Sequence, residues 1–224
     1  MYRQSLDNLL KALRRIEEPY YHTPEVRMID NQLDINVENF ITYENNFTSQ
    51  LLAEYKVLAH LGELKESRPF LRELQILKRF AWSEDPDLGI RAAIERLRAI
   101  PEGKEDVVDE LKTIPDFIIH KSQGNRERIN QQLIAEIKTE AVLSYSRFAW
   151  DFFKLNVYLN KFNFQTACFI AINTDLKTVE SYIGRYLDEN HYYTTRTRDL
   201  FVVVKENFQS EIITKSLHKI KFLM

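Results

Sequence analysis

Two short apolar runs separated by a polar segment constrain this chain more than any other feature. Ile114-Pro115-Asp116-Phe117-Ile118-Ile119-His120 and Leu133-Ile134-Ala135-Glu136-Ile137-Lys138 are rich in Ile and Leu, and the intervening Lys121 to Gln132 can turn the chain back as a hairpin. In a strand, side chains two residues apart share a face, so Glu136 and Lys138 project together while Ile137 faces the other way. With Asp116 beside them on the paired strand, two carboxylates can share one divalent cation, with an ammonium next to it. Taken one at a time, these residues have plainer explanations: Asp116 as a turn residue after Pro115, and Glu136 with Lys138 as an ion pair on a solvated face. Their placement weighs against that, because the surrounding residues are apolar enough for a central sheet.

The remaining pattern is mixed. Leu6, Leu9, Leu10 and Leu13 predict an amphipathic helix over 3–16, ended by Glu17-Glu18-Pro19. Two prolines and mixed polarity make 19–35 a loop or arm. Phe40, Phe47, Leu51, Tyr55 and Leu58 predict a long helix over 36–62, with Gly62 at its end. Helical patterns follow at 69–81, 87–99 and 104–112, with Asp85-Pro86-Asp87 fitting a helix start. Then come a helix over 146–161, a strand over 165–172, a helix over 176–190, a strand over 200–204 and a terminal helix over 206–222. The expected organisation is an N-terminal helix and arm (1–35) and one main domain (36–224) with a helical insertion at about 63–112.

Composition excludes several classes. At 224 residues, 44% hydrophobic, the chain can bury a substantial core, so disorder is not the default. No apolar run is long enough to span a bilayer, and Met1-Tyr2-Arg3-Gln4-Ser5 carries no apolar signal segment, so the expected location is the cytoplasm without membrane association. The single cysteine, Cys168, excludes an internal disulfide and a Cys-rich zinc site. Within Thr166-Ala167-Cys168-Phe169-Ile170 it reads as a small hydrophobe. A net charge of -2 argues against nucleic-acid binding through bulk electrostatics, but not against an acidic centre with a basic rim. No Gly-rich phosphate loop or His-x-x-x-His pair is present, and Trp82, Trp150 and the tyrosines show no regular stacking platform.

Pro115-Asp116, a nineteen-residue spacer and Glu136-Ile137-Lys138, followed by a helix-like segment with Asp151 and Lys154, resemble the motif of the PD-(D/E)XK nuclease superfamily. The likeness covers about 110 to 173 and, more loosely, 40 to 60. It implies a restriction-endonuclease-like α/β fold: an α-β-β-β-α-β core with a mixed central sheet flanked by helices, here with an enlarged helical N-terminal half. The first strand of that core is the hardest to find. Leu74 to Phe80 is the best candidate and also reads as helix.

The resemblance implies a Mg2+-dependent nuclease, Mn2+ serving as an alternative ion, acting on nucleic acid with DNA ahead of RNA. Asp116, Glu136 and the backbone carbonyl of Ile137 would hold the ion, and Lys138 would orient the attacking water or stabilise charge at phosphorus. Glu44, on an N-terminal helix, is the expected further carboxylate, with Glu54 as its competitor. Lys121, Arg126, Arg128, Arg196, Arg198 and the tail Lys215, Lys219 and Lys221 are candidate rim residues. Asp151 and Lys154 can pair on a helix surface, or Lys154 can touch a phosphate. His120 reads as a hydrogen-bonded residue at a strand end. A homodimer would suit cutting of both strands, although no heptad or large exposed apolar helix marks its interface. The alternative function is a catalytically inactive scaffold of the same fold, working through protein or nucleic-acid contacts.

Overall fold

Period-two apolar patterning places a mixed sheet between two helical layers. The computed structural model describes residues 4–21, 23–29, 32–41, 44–64, 71–73, 78–101, 111–121, 127–189 and 191–221, with only the backbone for 23–41 and 71–73. In chain order the elements begin with α1 (Gln4–Leu13), β1 (Thr23–Ile29), β2 (Gln32–Ile41), α2 (Glu44–His60), β3 (Leu71–Glu73), β4 (Lys78–Phe80), α3 (Leu88–Ala99) and β5 (Leu111–Thr113). They continue with β6 (Phe117–His120), β7 (Gln131–Lys138), α4 (Tyr145–Lys161), β8 (Thr166–Ile172), α5 (Leu176–Asp188), β9 (Leu200–Lys205), β10 (Ile213–Ser216) and α6 (Leu217–Lys221).

The protein is α/β. Six strands form its main sheet in the order β10-β9-β8-β7-β6-β3. β7, β8 and β9 run parallel, whereas β10, β6 and β3 each pair antiparallel with their neighbour. Alternation along the central strands is strict. Leu133, Ala135 and Ile137 of β7, with Cys168 and Ile170 of β8, pack against α1 and α2. Ile134 of β7, with Phe169 of β8 and Val202 of β9, meets Phe148, Phe152 and Leu155 of α4 on the opposite face. Glu136 and Lys138 continue the α4 side of β7, so the pleat alone directs both charges toward that helix.

Local chemistry sets the helix boundaries. Asp87, Ser144 and Asp175 cap α3, α4 and α5, accepting from the N–H groups of Gly89, Arg147 and Thr178. After α2, Gly62 adopts φ +69°, and the N–H of Glu63 bonds the Leu58 carbonyl, a C-terminal arrangement that glycine permits without a Cβ penalty.

Several expectations are corrected. The segment expected as an arm over 19–35 contains β1 and the start of β2, which pair antiparallel from Ile29↔Gln32. The long helix begins at Glu44 rather than 36, and Phe40 stands in β2. Within the span expected as a helix over 69–81, the described residues form β3 and β4 instead, and 69–70 and 74–77 lie outside the described residues. β3 is the strand next to β6 (Leu71↔His120), while Lys78–Phe80, the described part of the expected strand Leu74 to Phe80, pairs with β5 in a separate two-stranded sheet. Of the helix expected over 104–112, residues 104–110 lie outside the described residues and Leu111 opens β5. The terminal helix gives way to a turn in which Asn207 Oδ1 accepts from the N–H groups of Gln209 and Ser210, followed by β10. An Asx-type turn competes with helix, and the β-branched Ile212-Ile213-Thr214 favours strand.

Helix α1 contributes Leu6, Leu9, Ala12 and Leu13 to the core shared by α2 and the sheet. Leu9 is fully buried. Leu9→Ala is expected to cost about 2–5 kcal/mol by denaturant unfolding while leaving a single cooperative transition. A separate early transition would show that α1 is not part of this fold.

Candidate active site

The site forms at the C-terminal end of β7, where the strand outruns its neighbour. β6 starts at Phe117, opposite Ala135, so no β6 residue covers the edge of β7 beyond that pair. Asp116 fills the gap with its side chain: Oδ2 accepts the N–H of Ile137 at 2.7 Å. A buried amide that loses its strand partner needs a substitute acceptor, and the carboxylate is that substitute. The carbonyl of Ile137 leaves the strand on the same side as its N–H, toward the same gap.

Glu136 and Lys138 flank this point on the α4 face. Lys138 Nζ lies 2.9 Å from Asp151 Oδ2 and 3.2 Å from Glu44 Oε2, joining β7 to α4 and to the first residue of α2. Asp151 Oδ1 is paired with Lys154 Nζ at 3.1 Å. Asp151 and Lys138 are both buried, so this is an interior network and not surface pairing. Glu136 is 2% exposed, and its Oε1 accepts no hydrogen bond. Nearby, Tyr158 of α4 shares a buried 2.6 Å hydrogen bond with Thr113.

Burial and mutual repulsion govern the electrostatics. Burial first, then Asp151, pushes the Glu136 carboxyl well above the usual carboxylate range. Burial also raises Asp116, to about 6, against the opposing pull of Lys138. For Asp151, burial acts upward but Lys154 and Lys138 prevail and hold it below its ordinary value. Lys138 is the mirror case: burial disfavours its charge, yet Asp151 and Glu44 hold the ammonium protonated beyond its usual range.

The structure therefore brings Glu44, Asp116, Glu136 and Lys138 together, and adds Asp151 and Lys154. Sequence reasoning missed that Asp151 is buried in the centre. The available signal was a lone carboxylate inside Phe148-Ala149-Trp150-Asp151-Phe152-Phe153, a stretch too apolar to face water. Glu54 takes no part, being paired with Arg15 at 2.7 Å and bonded by Gln50. Lys154 is turned to Asp151 with 12% of its side chain exposed, not displayed on a rim. His120 is buried at the far end of β6, away from the acids.

The other candidate rim residues lie elsewhere. Lys121 and Arg128 flank the β6–β7 connection, which leads into β7 at the end opposite Lys138, about 20 Å away for an eight-residue strand. Arg128 pairs with Asp199 at 2.9 Å. Arg196 donates to the carbonyls of Leu159 and Phe164, each at 2.6 Å, and to Asp199, so it clasps the end of α4. Arg198, beside Asp199 ahead of β9, belongs to the same end. Lys215 is paired with Glu180, Lys219 and Lys221 lie on α6 and are exposed, and Arg126 lies outside the described residues.

Among the described residues, no group of three or more His, Cys, Asp and Glu side chains is gathered as a metal-ligand set. The donors offered are fewer: Glu136 with its orphaned oxygen, the Asp116 carboxylate and the Ile137 carbonyl. Such hard oxygen donors suit Mg2+, which keeps several waters and needs few protein ligands. Among the described residues no helix is long and apolar enough to cross a membrane. No protein-family model, curated protein or solved structure matches this chain.

The buried Glu136 has a measurable signature. Its folded proton affinity exceeds its unfolded one, so lowering the pH through the folded value toward about 4.5 stabilises the metal-free protein, with Asp116 acting in the same direction below about 6. Glu136→Gln is expected to be more stable than wild type at about pH 8, and the difference should shrink as the pH falls to about 5. Denaturant titrations of both proteins across this range check it; a pH-independent difference would mean that Glu136 is not buried as a charge.

Proposed function

We propose that this protein is a Mg2+-dependent nuclease that hydrolyses phosphodiester bonds of nucleic acid, with DNA the first substrate to test. The observation that carries the proposal is the orphaned, buried Glu136 oxygen beside Asp116 and Lys138 at an open strand end. A fold that buries an unpaired acceptor next to further acids incurs a cost that a bound cation removes. The element order α2, β3, β6, β7, α4, β8 supports a restriction-endonuclease-like α-β-β-β-α-β core, with β4, α3 and β5 inserted between its first two strands.

In this reading Asp116, Glu136 and the Ile137 carbonyl hold Mg2+, or Mn2+ in its place. The ion supplies charge neutralisation at the scissile phosphate. Lys138 orients the attacking water and offers its ammonium to charge developing at phosphorus. Glu44 and Asp151 position that ammonium from two sides, and Asp116 keeps the Ile137 peptide in register.

A non-catalytic scaffold is the second reading, favoured by two observations. The Lys138 ammonium is already engaged by two carboxylates, and the candidate rim residues Lys121, Arg128, Arg196 and Arg198 lie at the other end of the sheet. Linear and supercoiled DNA incubated with the protein and Mg2+ separates the two. Cleavage should appear, stop with chelator, and fall by about 100-fold or more in Glu136→Ala and in Lys138→Ala, with circular dichroism unchanged. Full activity in both variants would refute the assigned residues, and absence of cleavage with several nucleic acids would favour the scaffold.

A further inference from the structure

Among the described residues, the carboxylates of Glu44, Asp116, Glu136 and Asp151 stand around the ammonium groups of Lys138 and Lys154. Glu136, Asp151 and Lys138 are 2%, 5% and 7% exposed, so water screens these charges weakly.

The carboxylate oxygens are also unequally available. Both oxygens of Asp151 face ammonium groups, Oδ2 toward Lys138 and Oδ1 toward Lys154. Glu44 meets Lys138 with both of its oxygens, at 3.3 and 3.2 Å. One oxygen of Asp116 accepts from Ile137. Glu136 Oε1 and Asp151 Oδ2 are both buried without a hydrogen bond, but Asp151 Oδ2 faces the Lys138 ammonium at 2.9 Å, whereas no ion pair reaches Glu136 among the described residues. Two-ion centres use carboxylates to bridge ions about 4 Å apart. Asp151, buried at the centre of the cluster, has each of its oxygens engaged by a lysine.

Resting on the hydrolytic reading above, we propose that the centre takes a single divalent cation, and that Lys154, fixed by Asp151 beside Glu136, supplies the positive charge that a second ion would bring. The ligands left for the ion are Glu136, the remaining Asp116 oxygen and the Ile137 carbonyl, with waters completing its shell. Lys154 is thereby a positioning and charge-balancing residue of the site, not a contact to a distant phosphate.

Mn2+ is the probe. Titration of the full chain at neutral pH, read by the electron-paramagnetic signal of free Mn2+, should give one ion per chain, displaced by Mg2+, and cleavage should rise with free Mg2+ at a Hill coefficient near one. Lys154→Met removes the ammonium at similar length and should tighten Mn2+ binding by about tenfold or more, or admit a second ion. Lys154→Arg keeps the charge and should bind one ion with near wild-type affinity, which preserves the test if the Met variant does not fold. Two ions on an active wild-type chain would overturn the single-ion proposal and leave the hydrolytic reading standing. A folded wild-type chain that binds no Mn2+ would remove both. Unchanged affinity and stoichiometry in Lys154→Met would overturn the role of Lys154.

Discussion

A buried ammonium between two carboxylates organises this protein's charged end. Lys138 is buried at the end of a strand whose Leu133, Ile134, Ala135 and Ile137 are buried apolar residues, so its charge must be compensated locally. Asp151 from α4 and Glu44 from α2 do this from opposite faces of the sheet. Removing one partner of such a buried pair leaves an uncompensated charge and typically costs about 3–5 kcal/mol. The contact thus does more than hold a side chain: it ties the second turn of α4 and the first residue of α2 to the end of β7. Glu136, next to it, lacks that compensation, so two neighbouring charges on one strand are unequally satisfied.

The two ends of the sheet are chemically different. Acids gather where β7 finishes, whereas Lys121, Arg128, Arg196 and Arg198 lie where β7 and β9 begin. Arg196 there has a structural task, satisfying the carbonyls at the end of α4.

Much of this was legible in the residues. β8 and β9 are near-continuous apolar runs, β7 has an apolar centre from Leu133 to Ala135, and α4 and α5 carry periodic apolar faces, so type and position agree to within a few residues. Pro115-Asp116 and Glu136-Ile137-Lys138 are marked by their motif spacing, whereas the choice of Glu44 over Glu54 is not, because both flank the apolar stripe of one helix. Other features were hidden for physical reasons. β3 is three residues long, too short for any period, and its pairing with β6 is non-local. Phe40 falls seven residues before Phe47, which imitates a helical stripe, although the β-branched Ile35, Val37 and Ile41 mark a strand. Asp151 and Lys154 are three apart on a helix, the spacing of an exposed pair, and only the sheet packed against α4 shows that they are enclosed. The distance of Lys121 and Arg128 from the acids follows from strand direction: the hairpin that precedes β7 cannot lie near the residue that ends it.

The long excursion between Glu73 of β3 and Phe117 of β6 has an evolutionary consequence. Closing a loop costs free energy that grows only with the logarithm of its length, so this detour adds roughly 2 kcal/mol over a tight hairpin. It contains its own small sheet and a capped helix, and leads directly into Asp116. The chain can therefore lengthen, shorten or rebuild that excursion at little thermodynamic penalty, changing what borders the acids while β6 and β7 keep their register.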